Sequence, residues 1–260
     1  MKKTAFMMLI VAFASCQNSD TKTTTTVETK VAEKIVTAAA NVLTDEEVKQ
    51  GYKLLFDGKS FAGWHNFGKT TFGPDWIVDS AEQSMHLNVK KKQDGKWYAD
   101  GGDIVTADSY ENFELQVDWK IDTCGNSGII YNIIDDPKLE FVWRSGPEMQ
   151  VLDNKCHPDA KIIKHRAGDL YDLQSCSQET VKPALEWNNA KLVQNKGKVE
   201  HWLNGVKVVE YDMNAPAWKE MIKGSKFKDM PKFGSMMKGH IALQDHGNKV
   251  WYRNMKIKML

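Results

Sequence analysis

Residues 114–121 read ELQVDWKI, in which polar side chains alternate strictly with apolar ones. Successive side chains of a β-strand point to opposite faces, so this stretch is predicted to be a strand with one face in a core and one in water. On both sides of it the chain continues as short apolar runs separated by turn residues. Many strands, few helices and no βαβ spacing predict an all-β, two-sheet sandwich of jelly-roll type.

Local signals mark one or two short helices within this all-β pattern. Thr44 and Glu47 have the spacing of a capping box and predict a helix that ends near Gly51. Further along, Pro216 suits the first turn of a second helix and Gly224 suits its end. These segments are too few to change the fold class.

The remaining strand signals lie in the second half of the chain. Residues 127–134 are nearly all apolar, which predicts a buried central strand. Residues 198–211 are predicted to form a hairpin that turns at Asn204-Gly205, the pair favoured in a type I′ turn. The final residues, 239–259, hold two strand patterns joined near His246.

The start of the chain has the features of an export signal. A basic residue pair at positions 2–3 precedes an apolar stretch, residues 5–13, that is too short to span a bilayer. Residues 13–16 read FASC, with small residues directly before Cys16. We expect a lipoprotein signal over residues 1–16 with lipidation at Cys16; an ordinary secretory signal cleaved near Ser15 is the alternative.

Composition divides the rest of the chain into a tether and a domain. Residues 17–43 are rich in Thr, Lys, Glu and Ala and poor in bulky apolar residues, so they are predicted to be a disordered tether. Residues 44–260 are predicted to form a single domain. The formal net charge of the 260-residue chain is +1, which gives no reason to expect a nucleic-acid partner.

Three cysteines remain once Cys16 is set aside. Cys124, Cys156 and Cys176 have no metal-type spacing. In an oxidising compartment a Cys156–Cys176 disulfide would leave Cys124 free and buried. Three separate thiols are the alternative.

Polar residues share a face in two of the strand patterns. Glu148 and Gln150 alternate with apolar neighbours, and Gln244 and His246 share a face opposite Ile241 and Leu243. Carboxylate, amide and imidazole groups on one sheet face suit a sugar, whose hydroxyls both donate and accept hydrogen bonds. An ordinary antiparallel sheet with one solvated face is the alternative.

A long segment without strand pattern, residues 153–174, lies between these strands. It carries His157, His165, Arg166 and Tyr171. Long loops in compact domains are often functional, so this segment is predicted to be a functional loop over one sheet.

A series of short motifs along the chain resembles one known family, the bacterial 3-keto-disaccharide hydrolase domain. The resemblance covers residues 52–260. The matching stretches are residues 55–60 (LFDGKS), 63–64 (GW), 110–115 (YENFEL), 125–128 (GNSG), 146–153 (GPEMQVLD), 168–172 (GDLYD), 186–188 (EWN), 201–205 (HWLNG), 239–247 (GHIALQDHG) and 253–254 (RN).

This resemblance implies a concanavalin A-like jelly roll that cleaves glycosides whose sugar carries a ketone at C3. Members are typically exported, often as lipoproteins of the Bacteroidetes type. It therefore implies a domain anchored to the outer membrane by lipid alone, on the periplasmic or cell-surface side. A C3 ketone also implies an upstream sugar oxidoreductase as a partner in the same reaction sequence.

Such a reaction needs a base near C2, a cation or donors at the C3 oxygen, and an acid near the leaving group. We expect Glu148 to be the base, and His246 to act as base or leaving-group acid. Arg166, Lys226 or a divalent metal ion would stabilise the enolate oxygen. The residues expected to hold the sugar are Asn126, Gln150, Asp153, His157, His165, Tyr171, Trp202, Lys226 and Gln244.

The chain carries no HExxH or other compact metal motif, so the cofactor stays unknown. Glu148, His157, His201 and His246 are candidate ligands, although His201 is as well suited to a core. Two other functions remain open at this point: a carbohydrate-binding domain without catalysis, and conventional hydrolysis of an unmodified glycoside.

Overall fold

The computed structural model describes residues 39–91 and 97–260. The predicted signal, Cys16 and most of the predicted tether lie outside the described residues. Asn41, at the end of the predicted tether, is buried, and its amide Nδ2 donates to the carbonyl of Gln83. Asn41 also exchanges hydrogen bonds with Asn254. Composition could not predict that Asn41 is buried, because a polar residue is buried here through hydrogen bonds and not through apolar contacts.

The described residues form a two-sheet jelly-roll sandwich with two short α-helices, as predicted. The helices are α1 (Asp45–Lys49) and α2 (Pro216–Lys223). The strands are β1 (Lys53–Leu54), β2 (Trp64–Asn66), β3 (Trp76–Asp79), β4 (Ser84–Leu87), β5 (Lys90–Lys91), β6 (Trp97–Tyr98), β7 (Ile104–Thr106), β8 (Phe113–Ile121), β9 (Asn126–Ile133), β10 (Glu148–Leu152), β11 (Asn188–Asn195), β12 (Lys198–Leu203), β13 (Val206–Asp212), β14 (His240–Leu243) and β15 (Val250–Met259).

All strand pairs are antiparallel. The larger sheet has the order β13-β12-β11-β8-β15-β4-β3, with β1 also pairing with β15. The smaller sheet has the order β10-β9-β14-β7-β2, and β5 pairs with β6. The two strands predicted within residues 239–259 are confirmed as β14 and β15. They belong to different sheets. The segment between them therefore crosses from one sheet to the other.

The core lies between the two sheets and follows the sequence pattern. On β8, Leu115, Val117 and Trp119 are each 1% exposed, while the polar residues between them are half-buried. The smaller sheet contributes Met149 and Leu243 to the same core. Burial alternates with the sequence pattern over residues 114–119, and Lys120 at the end of the strand is buried as well.

The capping box and the hairpin turn are also confirmed. The Thr44 hydroxyl accepts from the Glu47 amide, and the Glu47 carboxylate accepts from the Thr44 amide. Asn204 and Gly205 have φ values of 51° and 83°, which a type I′ turn requires. None of the described helices is long and apolar enough to cross a membrane.

The disulfide joins Cys124 to Cys156, and Cys176 is free. Both sequence-based alternatives for the cysteines are therefore wrong. The Cys124 amide donates to Asp153 at 2.8 Å, which holds the turn between β8 and β9 against the start of the long loop. The amide of Cys176 is held elsewhere, by Asp169. Cysteine spacing carried no information on these contacts.

Replacing Cys124 and Cys156 together with Ser should lower the free energy of unfolding by about 3–4 kcal/mol. The disulfide closes a loop of 32 residues and so restricts the unfolded chain. Urea denaturation without reductant would measure the loss. Cys176→Ser is the matched control because it removes a thiol without removing a covalent link. Equal stability of the double variant and the control would contradict the expectation.

Candidate active site

A cavity of about 370 Å³ opens on the face of the smaller sheet that points away from the core. Seven predicted site residues line it: Asn126, Glu148, Gln150, Tyr171, Lys226, Gln244 and His246. Two further residues, Trp143 and Met230, complete its wall. Polar groups from distant parts of the sequence thus meet in one place.

Strand alternation positions Glu148 and Gln150 in this cavity. On β10, Met149 and Val151 are 1% and 0% exposed and pack in the core. Glu148 and Gln150 therefore point to the opposite face and line the cavity. The shared face predicted from the sequence is confirmed.

Residues 168–171 of the long loop run along the edge of the smaller sheet. The Gly168 amide donates to the Gln150 carbonyl, and the Gln150 amide donates to Asp169. The Tyr171 amide donates to the Glu148 carbonyl at 3.0 Å. These bonds satisfy the free edge of β10 and bring Tyr171 beside Glu148.

Gly128 provides the space that the Glu148 side chain occupies. It lies opposite Gln150 in the ladder between β9 and β10. A Cβ atom at position 128 would stand 2.8 Å from Cδ of Glu148, closer than real Cβ contacts allow. The carboxyl group therefore rests against bare backbone.

Burial raises the pKa of Glu148 to about 8, because the charged form loses its hydration. The nearby charge of Lys226 opposes this shift, whereas Asp103 and Asp159 add to it. A carboxylate that ionises near pH 8 is a stronger base than an ordinary one. Its environment suits proton transfer better than the formation of a stable ion pair.

Lys226 supplies the cation of the cavity. Its Nζ lies 3.9 Å from the centre of the Tyr171 ring, a cation–π contact. Loss of hydration lowers the pKa of Lys226, and the negative charge of Glu148 raises it in opposition. The next residue, Phe227, is buried and stacks on Phe233 with 3.8 Å between ring centres, which anchors the segment.

The amide side chains offer acceptors to a ligand. Gln150 donates from Nε2 to Oδ1 of Asn126 at 2.9 Å, so its own Oε1 is left without a partner among the described residues. Oε1 of Gln244 is buried and unpartnered in the same way. Buried acceptors without partners are costly unless a ligand satisfies them, and sugar hydroxyls are suitable donors.

His246 lines the cavity, and the ring of His157 lies next to it, with 6.3 Å between ring centres. Loss of hydration lowers the pKa of His246, and His157 lowers it further. Nδ1 of His157 accepts from the Asp159 amide at 3.2 Å, so the neutral ring carries its proton on Nε2. His157 is therefore near the cavity, although His246 alone lines it.

Three predicted site residues lie away from the cavity, namely Arg166, Asp153 and Trp202. Arg166 lines a separate cavity, donates from Nε to the Ala160 carbonyl at 2.9 Å and lies 3.6 Å from Glu179. Asp153 accepts from the amides of Cys124 and Lys155 and so holds a turn.

Trp202 is on β12 of the larger sheet, where it donates to Glu200 and lies under the ammonium group of Lys191. Sequence reasoning placed it at the sugar because tryptophan commonly stacks on sugars, but its strand belongs to the other sheet.

His165 stands behind the cavity wall. Its ring centre is 4.2 Å from that of Tyr171, and its Nε2 lies 3.0 Å from Asp172. It supports a residue of the cavity without lining the cavity itself.

Sequence reasoning missed Trp143 and Met230. Trp143 belongs to a short 3₁₀ turn, Val142–Arg144, and Met230 to the loop after α2. Neither segment has a period that assigns faces to its side chains. The one available signal was the position of Trp143 five residues before Glu148.

The candidate metal ligands are not gathered into one site. Among the described residues, the one set of three donor atoms within 4.8 Å of each other belongs to Cys124, Asp153 and Cys156. Two of these are joined in the disulfide. His201 is fully buried with Nε2 against the Tyr131 hydroxyl and Nδ1 against the Gly168 carbonyl, so it is a core residue and not a ligand.

The sequence matches a described protein family over residues 51–258, namely the 3-keto-alpha-glucoside-1,2-lyase-like domain. The chain belongs to this family. A Bacteroides thetaiotaomicron protein named 3-keto-disaccharide hydrolase is 37% identical over 233 residues, which cover 81% of this chain and 79% of that protein.

Solved structures agree with this assignment. A Parabacteroides distasonis protein, described as a candidate glycosyl hydrolase, superposes with a TM-score of 0.75 at 33% identity and covers 85% of this chain and all (100%) of its own. A second candidate glycosyl hydrolase of that organism gives a TM-score of 0.57 at 26% identity, over 80% of this chain and 99% of its own. The chain is thus a glycoside hydrolase-like protein.

Proposed function

We propose that this chain cleaves the glycosidic bond of 3-keto-glycosides, including 3-keto-disaccharides, by base-assisted elimination followed by hydration. The observation that carries the proposal is the buried carboxyl group of Glu148, with a pKa near 8, in a cavity that also holds Lys226 and His246. A ketone at C3 makes the C2 hydrogen acidic, so a base, a cation and an acid for the leaving group meet the needs of the reaction.

Each group in the cavity has a role in this scheme. The Glu148 carboxylate takes the proton from C2, and the electron pair of that C–H bond moves to form an enolate at the C3 oxygen. The Lys226 ammonium group stabilises this oxyanion. When the enolate collapses, the C3 carbonyl re-forms, C1 and C2 become doubly bonded, and the bond from C1 to the leaving oxygen breaks.

His246 supplies a proton to the departing oxygen, which leaves as an alcohol. Water then adds to C1 of the enone and a proton returns to C2, which yields the free 3-keto sugar. The unpartnered acceptors of Gln150 and Gln244 bind the remaining hydroxyls. Arg166 has no part in the scheme because it lines a different cavity.

Conventional glycoside hydrolysis fits this site less well. It uses two carboxyl groups about 5 Å or 6.5–9.5 Å apart around the anomeric carbon. Among the nine residues that line the cavity, Glu148 is the one carboxylic acid. A single base beside a cation instead matches proton removal next to a carbonyl group.

Export belongs to the same proposal on grounds of sequence. The FASC stretch supports a lipoprotein with Cys16 as its anchor, held at the outer membrane on the periplasmic or cell-surface side. An oxidoreductase that forms C3 ketones would supply the substrate.

The test uses 3-keto-trehalose and a 3-keto-β-glucoside, each paired with its unoxidised parent, with and without EDTA. Products would be followed by mass spectrometry in D₂O over short times, with enzyme-free samples as controls. We expect cleavage of the oxidised substrates alone, with one deuterium at C2 of the released sugar. Cleavage of the parents without deuterium would favour conventional hydrolysis, and binding without any product would favour a sugar-binding domain.

A further inference from the structure

Two separate segments of the chain form the wall of the cavity next to Glu148. One is the end of the long loop, which supplies Tyr171, and the other follows α2 and supplies Lys226. They are 55 residues apart in sequence, and the contact between them sets where the ammonium group stands. Besides the contact of Lys226 with the Tyr171 ring, one side chain of the long loop binds the backbone of the second segment.

That side chain is Asp172. Its Oδ2 accepts from the backbone amide of Lys226 at 2.7 Å, and its Oδ1 lies 3.0 Å from Nε2 of His165. Both carboxylate oxygens are thus engaged, one with each segment. His165 in turn packs on the Tyr171 ring, over which the Lys226 ammonium group lies.

The backbone at Asp172 is itself unusual. Its φ is 60°, in the left-handed region that only glycine, asparagine and aspartate adopt readily. The Asp172 amide donates to the Lys164 carbonyl at 2.8 Å, which closes the turn. Such a conformation costs free energy and persists where the surrounding contacts fix it.

We infer that Asp172 is a positioning residue that acts through Lys226, holding its ammonium group beside Tyr171 and over the C3 oxygen of the substrate. This inference rests on the proposed function for the identity of the reaction. Asp172 does not line the cavity. Its effect on turnover is therefore indirect: it acts on Lys226 and, by way of His165, on the Tyr171 ring against which the ammonium group lies.

Asp172 also acts on Lys226 by its charge, since its carboxylate favours the ammonium form. Removing the Asp172 carboxylate should lower the pKa of Lys226, so that less of the ammonium form is available to stabilise the enolate. Lys226 has a second anchor in the buried ring of Phe227, so the segment should stay folded when Asp172 is changed.

The test is a double-mutant cycle between Asp172→Asn and Lys226→Met. Asn tolerates the left-handed backbone and keeps one acceptor oxygen, while it removes the charge and one of the two hydrogen bonds. We expect Asp172→Asn to lower kcat on a 3-keto-glycoside by about 10- to 100-fold, with little change in KM. In the Lys226→Met background the same change should lower kcat less than about twofold.

Asp229→Asn is the matched control, since Asp229 is an exposed acid in the same loop as Lys226 and does not itself line the cavity. It should leave kcat unchanged. Equal factors for Asp172→Asn in both backgrounds would overturn the inference, because a merely structural role does not depend on Lys226.

A second readout does not depend on the reaction. The pKa of Lys226, followed by NMR after ¹³C-methylation of the lysines, should be lower in Asp172→Asn than in the wild type and the control. If the wild type fails to turn over 3-keto-glycosides, the proposed function falls, and this titration still decides the role of Asp172. An unchanged Lys226 titration would then overturn it.

Discussion

Glu148→Gln should lower kcat for 3-keto-glycosides by about 10²- to 10⁴-fold, the range expected when a general base is removed. Gln has nearly the same shape, so it fills the space against Gly128 but cannot accept the C2 proton. Steady-state kinetics would measure the loss. In the wild type, kcat/KM should be bell-shaped with pH, because the reaction needs Glu148 ionised and His246 protonated. It should rise at low pH as Glu148 ionises, and fall above the Glu148 pKa of about 8, where further ionisation no longer offsets the loss of the His246 proton.

Glu186→Gln is the matched control, since Glu186 is exposed and does not line the cavity. It should retain wild-type kcat. Wild-type turnover by Glu148→Gln would exclude Glu148 as the base and leave His246 as the remaining candidate in the cavity.

The same substitution should stabilise the fold, and the gain should depend on pH. Between the ordinary carboxyl pKa of 4.5 and the folded value of about 8, the native state binds a proton that the unfolded state has released. Wild-type stability therefore falls as pH rises through this window, whereas Gln contributes no such change. The advantage of Glu148→Gln should grow from pH 5 to pH 8, reaching on the order of a few kcal/mol.

Urea denaturation at the two pH values would measure this difference. Lys226 offsets part of the gain, because Gln leaves the ammonium group without its negative neighbour. A stability difference that is the same at pH 5 and pH 8 would mean that Glu148 has no raised pKa in the folded protein.

Gly128→Ala should be the next most damaging change, with a loss of about 100-fold in kcat/KM. The added methyl group would stand 2.8 Å from Cδ and 3.0 Å from Cγ of Glu148, so the carboxyl group must move. Gly128 cannot yield, since its carbonyl accepts from the Gln244 amide at 3.0 Å. A base that is displaced by a fraction of an ångström to an ångström misses the proton that it should take.

Kinetics and sugar binding would both be measured on Gly128→Ala. Gly224→Ala is the matched control, because a Cβ atom there meets ordinary contacts of 3.6 Å and its φ of −82° suits any residue. If Gly128→Ala kept wild-type kcat/KM, the position of the Glu148 carboxyl group against Gly128 would not be required for turnover.

Local patterns predicted the part of the site that strands build. Alternation placed Glu148 with Gln150, because the two-residue period of a strand is fixed by its own sequence. Gln244 and His246 both line the cavity as predicted, although they follow the end of β14 at Leu243. The resemblance to the family pointed to the same residues. Lys226 was one of three options for the cation, and the cavity now selects it over Arg166.

The remainder depends on the paths of loops. The disulfide joins the turn after β8 to the long loop, and Trp143 reaches the cavity from a 3₁₀ turn. No local period encodes either contact. Trp202 illustrates the opposite error, in which a suitable side chain lies on a well-predicted strand of the wrong sheet.

One face of the smaller sheet is divided between the cavity and a small apolar cluster. The buried members of this cluster are Phe67, Val105, Ile130, Ile133, Val142 and Ala242, and Trp143 packs against them while it also lines the cavity. On that side the cavity therefore ends at Trp143. A polysaccharide that crossed the sheet would need an open groove where these side chains lie. The enzyme should accordingly remove terminal units and act on small glycosides, while the interior linkages of long polymers stay intact.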